Sequence, residues 1–141
     1  MDRLLTLAQQ QPLLFVHLLS ALGALVLGLV LLARRKGTPG HRGLGWAWVL
    51  LMGTAAVSSV FVGGGRLPNL YGLSPIHLLT ALVLVQLPLA VRDARQGRVA
   101  SHRQRMRGLY IGGCVVAGLF TLLPGRFLGS LLWGSATGLA L

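Results

Sequence analysis

The stretch His17-Leu18-Leu19-Ser20-Ala21-Leu22 returns as His77-Leu78-Leu79-Thr80-Ala81-Leu82, an offset of 60 (77 − 17). One echo in a leucine-rich chain means little. Two more accompany it: His41-Arg42 recurs as His102-Arg103 at an offset of 61 (102 − 41), and Gly65-Arg66 as Gly125-Arg126 at 60 (125 − 65). Two tandem copies of one helical hairpin, each carrying two histidines, account for all three. Repeat one covers about 13–66, repeat two about 75–126, and an apolar tail 127–141 completes a single membrane domain.

Composition points to a bilayer as the solvent. Of 141 residues, 54% are hydrophobic, and thirteen Lys and Arg face only two Asp and Glu. A mean hydropathy of +0.73, with apolar runs close to twenty residues, fits a polytopic membrane protein and not a soluble globule. The net charge of +11 could suggest nucleic acid as a partner. The basic residues, however, fall in two short clusters between apolar segments, which membrane topology explains more simply. Cys114 is the only cysteine, so an intrachain disulfide and a thiolate metal cluster are both excluded.

The first span is expected from about Leu13 to Ala33, opened by Pro12 and closed by Arg34-Arg35-Lys36. Its start resembles a signal peptide, with Ala21-Leu22-Gly23-Ala24 as a weak cleavage site, but the internal recurrence of the same stretch argues for a retained helix. The tight connector Gly37-Thr38-Pro39-Gly40 leads through His41-Arg42 into a second span, about Leu44 to Val62, with Trp46 and Trp48 placed as interfacial anchors. A glycine-rich link, 63–75, joins the copies. The third span, about Ile76 to Val91, is short and carries Pro88, which should kink it. Ser101 is an expected N-cap for a fourth helix that continues to about Leu123. Gly108 and Gly112 form a GxxxG pair for close helix approach.

The expected fold is therefore an all-α membrane protein: a four-transmembrane-helix bundle built from two tandem parallel-repeat helical hairpins, plus a short C-terminal interfacial or re-entrant helix. Ten of the thirteen basic residues lie in the two long connectors, which the positive-inside rule assigns to the cytoplasm, with both termini outside. Both copies enter the membrane from the same side, so equivalent residues are related by an axis along the membrane normal. His17 and His77 then pair near the outer surface, and His41 and His102 near the inner one.

Ionisable residues within or bordering a span point to function. Two imidazoles with almost no carboxylates or thiolates nearby suit axial ligation of haem iron. On this reading His17 and His77 ligate an outer haem b, His41 and His102 an inner one, and the protein passes electrons between a quinone or quinol and a redox partner. Small neighbours (Ser20, Ala21, Ala24, Thr80, Ala81) would leave room for a flat macrocycle. Arg66 and Arg126 at the outer face, and Arg42 and Arg103 at the inner, could pair with haem propionates.

Plainer readings stand beside these. A His-Arg pair at a membrane surface can simply contact lipid phosphate, and His17 and His77 can hydrogen-bond to a neighbouring backbone or to Ser20 and Thr80. Met52, Met106 and Tyr110 are candidate ligands or redox participants, or ordinary packing. A histidine-only zinc or copper site is a further alternative, as is a cofactor-free accessory or assembly subunit of a larger membrane complex. Hydrolytic chemistry lacks its carboxylates, since Asp2 and Asp93 are the only acids.

Further motifs carry a family resemblance. Lys36-Gly37-Thr38 followed by His41-Arg42 and Leu44-Gly45, then Ile76-His77-Leu78-Leu79, His102-Arg103 with Met106 and Leu109-Tyr110, and finally Ala117 to Arg126 are similar to the bacterial predicted-membrane-protein family known as domain of unknown function 2306. The resemblance runs from about His17 to Gly129 and implies a four-helix protein of the bacterial inner membrane, with no established activity. The arrangement also looks like that of small b-type di-haem cytochromes such as the b561 group, whose ligands lie deeper within their helices than His41 and His102 are expected to.

Overall fold

The computed structural model describes residues 9–62 and 75–122. Its elements are α1 (Pro12–Ala33), α2 (Pro39–Val62), α3 (Pro75–Arg95) and a long α4 from Val99 to Thr121, in which a π-helical stretch (Tyr110–Val116) separates two α-helical parts (Val99–Leu109 and Ala117–Thr121). Arg66, Arg126, the link 63–74 and the expected C-terminal helix over 127–141 lie outside the described residues.

The punctuation is local chemistry. Proline occupies the first turn of α1, where its missing N–H costs nothing. Past Ala33 the backbone of Arg34 becomes extended, Lys36 Nζ donates to the Leu32 carbonyl at 2.7 Å, and Gly37 takes a left-handed φ of +83° that reverses the chain. Thr38 then caps α2: its Oγ1 accepts the His41 backbone N–H at 3.1 Å, with Pro39 as the first helical residue. Thr38→Ala should therefore lower stability by about 1 kcal/mol. A thermal unfolding midpoint equal to that of the unaltered protein would remove the cap from this account.

The second connector turns in the same way, on Gly97 at φ +72°. Here α3 continues to Arg95, past the expected end at Val91, and remains one helix through Pro88. The Ser101 cap does not form. Helix α4 begins three residues earlier, at Val99, with Arg98 in the cap position, and Ser101 is an exposed residue of the first turn. The Arg98 backbone N–H bonds the Asp93 carbonyl at 2.9 Å, so the chain is already turned before the serine is reached.

The helices pack as a ring in chain order, and the π-helical part of α4 returns to α1. Three of the four are long and apolar enough to cross a membrane: Pro12–Ala33, Pro39–Phe61 and His77–Arg95. In α4 the first turns are basic, and the apolar part from Gly108 to the last described residue rises only about 20 Å at roughly 1.5 Å per residue. The buried core is mostly small or polarisable: Ala24, Met52, Ala56, Val83, Ala90 and Cys114 belong to it. Large aliphatic and aromatic residues such as Val26, Leu50, Phe61 and Leu78 face outward, as lipid-exposed helices require.

Two expectations about packing are corrected. Trp48 is not an interfacial anchor; only Trp46 is exposed, whereas Trp48 is buried and its indole N–H bonds the Ala24 carbonyl at 2.9 Å. Two residues apart on a helix, the two rings point to nearly opposite faces. Nor do Gly108 and Gly112 mediate close approach among the described residues, since a Cβ at either would meet nothing of them within 4 Å. The tight positions are Gly28, whose added Cβ would lie 2.4 Å from the Tyr110 ring and 2.8 Å from Trp48 Nε1, and Gly113, where it would lie 2.9 Å from Met52 Cε. On α1 the inward stripe is Ser20, Ala24 and Gly28, at intervals of four.

Candidate functional site

At the basic end the ring of helices forms a half-open cavity of about 570 Å³ to which all four helices contribute. His41 reaches it from the first turn of α2 and His102 from the first turn or so of α4, so the two imidazoles enter from diagonal members of the ring. Lys36, Arg42, Arg95, Arg103 and Arg107 also line it, and among the described residues no carboxylate does. Trp46, Trp48 and Tyr110 supply aromatic walls, and Met106 with Leu31, Leu32 and Val91 completes the apolar lining. The Arg95 guanidinium lies 5.5 Å from the Trp46 ring centroid, a cation–π contact at the mouth.

The two histidines are held differently. His102 Nδ1 is 2.8 Å from the Ala90 carbonyl of α3. A carbonyl only accepts, so Nδ1 carries the proton and Nε2 is left with its lone pair, the tautomer that binds metal. The buried Nδ1 of His41 has no hydrogen-bond partner among the described residues. Left unmet in a site without ligand, such an atom costs about 1–3 kcal/mol.

The opposite end is arranged around α2. His17 Nδ1 donates to the Ala55 carbonyl at 2.9 Å and lies 3.0 Å from Ser58 Oγ, which again leaves Nε2 as the basic nitrogen. His77 is half-buried in the first turn of α3. One turn further, Thr80 Oγ1 bonds Ser59 Oγ at 2.7 Å, so a side chain expected to leave space for a macrocycle is tied to α2. Of the two plain partners expected for His17, a neighbouring helix backbone and Ser20, the structure shows the first, at Ala55, and the hydroxyl beside it is that of Ser58. Helices α1 and α3 are diagonal in the ring, and each engages α2 through these serines. The structure thus joins His41 and His102 in one cavity and sets His17 against α2.

Other candidates resolve into packing. Cys114 Sγ lies 3.4 Å from Met52 Sδ across the core, and Tyr110 O–H donates to the Leu25 carbonyl at 3.2 Å. Among the described residues no three His, Cys, Asp or Glu converge as a metal-ligand cluster. What sequence reasoning missed is the ion cluster beside the cavity. Asp93 is buried, with Oδ1 2.8 Å from Arg98 Nη2 and Oδ2 2.9 Å from Arg105 Nε, and Arg105 also bonds Gln86 Oε1. Its only signal was a lone acid among arginines.

Helices of this length with apolar outer surfaces define an all-α, multi-pass membrane protein. The chain belongs to the family of predicted membrane proteins called DUF2306, whose family model matches residues 14–128. No curated protein and no solved structure matches it.

Proposed function

We propose that the protein is an integral-membrane, b-type cytochrome-like electron carrier that holds haem b in the basic-end cavity, with His41 and His102 as axial ligands. One observation carries the reading: two imidazoles from diagonal helices line a cavity with five cationic side chains, three aromatic rings and, among the described residues, no carboxylate. Such a lining suits a flat apolar group bearing negative charge. Its volume is within the roughly 300–1,000 Å³ of cofactor sites. Arg42 and Arg103, exposed at the rim, would take the propionates through forked hydrogen bonds. Bound haem supplies one-electron exchange, and a membrane quinol is the natural donor class. The chain's own contribution is to orient His102 through Ala90 and to surround the site with positive charge.

A second haem between His17 and His77 has narrower support, the ring orientation that Ala55 and Ser58 impose on His17. Tandem duplication is supported by the two left-handed glycine turns, Gly37 and Gly97, which are 60 residues apart (97 − 37) like His17 and His77. With the basic connectors in the cytoplasm, the cavity lies at the inner face of the membrane.

The test is the visible spectrum of protein expressed with ample haem and purified in detergent. A low-spin b-type band should appear on reduction, vanish in the His41→Ala/His102→Ala double variant, and persist in His17→Ala/His77→Ala. A colourless protein sinks the proposal. It would favour an accessory subunit of a larger complex, for which the open faces at Gly108 and Gly112 offer a landing site for a partner helix.

A further inference from the structure

We infer that the two axial positions are unequal: His102 is the anchored ligand and His41 the exchangeable one, so the site admits a small neutral diatomic molecule in place of His41. This rests on the haem reading above and specifies what else the site binds.

The asymmetry lies in what stands behind each ring. His102 donates to the Ala90 carbonyl at 2.8 Å, and Ala90 is fully buried at the α3–α4 contact. Three residues along, Asp93 fastens the same two helices through Arg105. Carbonyl, helix and ring therefore form one rigid unit, and an orienting bond of this kind also makes the imidazole a better donor to metal. His41 lacks such support, because its buried Nδ1 has no partner among the described residues. It stands in the first turn of α2, just after the Gly37 reversal, with Gly40, Gly43 and Gly45 around it. At Gly45, one turn further along the same helix face, an added Cβ would find nothing within 4 Å, so the described residues leave that flank of His41 open. The aromatic and aliphatic lining beside it accommodates an uncharged ligand.

The experiment uses the full chain purified with haem, with the haem-to-protein ratio measured alongside spectra taken with and without carbon monoxide and imidazole. His41→Ala should keep its haem, turn high-spin, bind carbon monoxide faster than the unaltered protein, and recover a low-spin spectrum when free imidazole is added. His102→Ala should lose haem affinity by at least about 10–100-fold, the usual cost of losing merely the partner that orients a metal ligand. Equal haem loss in the two variants, or loss confined to His41→Ala, overturns the inference while leaving the cytochrome reading intact. Should His102→Ala fail to fold, His41→Ala decides alone, and a low-spin or haem-free product overturns it. An unaltered protein that takes up no haem ends both.

Discussion

Gly28→Leu is expected to cost about 3–5 kcal/mol, the sum of overpacking a tight helix contact and losing one buried and one part-buried hydrogen bond. Two side chains arrive over this one position. Trp48 from α2 reaches the Ala24 carbonyl and Tyr110 from α4 reaches the Leu25 carbonyl, both across the space that a side chain at residue 28 would fill. The nearest ring atom of Tyr110 would be 2.4 Å from the first added carbon, closer than any real contact of that kind. The rings cannot yield easily, because both are buried and Trp48 is only 3% exposed. Since among the described residues α1 meets α4 only through the π-helical stretch that begins at Tyr110, the lesion should also open the ring of helices. The control is Gly53→Ala, where an added Cβ meets nothing within 4 Å and helix propensity favours alanine by about 0.5–1 kcal/mol. If chemical unfolding in detergent gave Gly28→Leu and Gly53→Ala similar stabilities, the close approach at Gly28 would be wrong.

The same position shows what a sequence can and cannot disclose. The bounds of α1 were legible because Pro12 and the Arg34 to Gly37 run act within a few bonds of themselves. Those of the other helices were less so: α2 begins at Pro39 and not near Leu44, α3 ends at Arg95 and not Val91, and α4 begins at Val99, ahead of Ser101. Which small residue receives a neighbour was not legible. Gly108 and Gly112 have the right spacing and face open space among the described residues, while Gly28, whose partner four residues back is Ala24 and not a second glycine, is the tightest point described. Spacing defines a face, but the rotation of the helix decides what that face meets. Trp46 and Trp48 repeat the lesson, being close in sequence and opposed in space. The four histidines were assignable to two ends because offsets near 60 and the basic connectors fix depth. Their environments were not, since the Ala90 carbonyl behind His102 and the Ala55 carbonyl behind His17 are backbone atoms of other helices, which no residue type announces. For the same reason the cavity at the His41 end, assembled from four helices, had no local signature.

Asp93→Asn should be the other severe variant, and its effect should be electrostatic. Asp93 is the only acid among the described residues, and it is buried between two arginines, Arg98 and Arg105. Asparagine preserves shape and one acceptor but removes the charge, which leaves two guanidinium groups close together near the membrane surface with nothing to neutralise them. Arg98 is half exposed and can turn toward water or lipid phosphate; Arg105 is more enclosed and also holds Gln86, so it cannot leave without breaking that bond. The expected result is a lower thermal midpoint with early loss of the α3–α4 contact, and with it the carbonyl that orients His102. A thermodynamic cycle separates charge from shape. If repulsion is the cause, adding Arg105→Gln to Asp93→Asn should restore part of the lost stability, because the second change removes the stranded cation. Strictly additive losses would mean that the Asp93 side chain acts by packing and neutral hydrogen bonding alone. The charge argument would then fall, although the geometry that places His102 beside the cavity would stand.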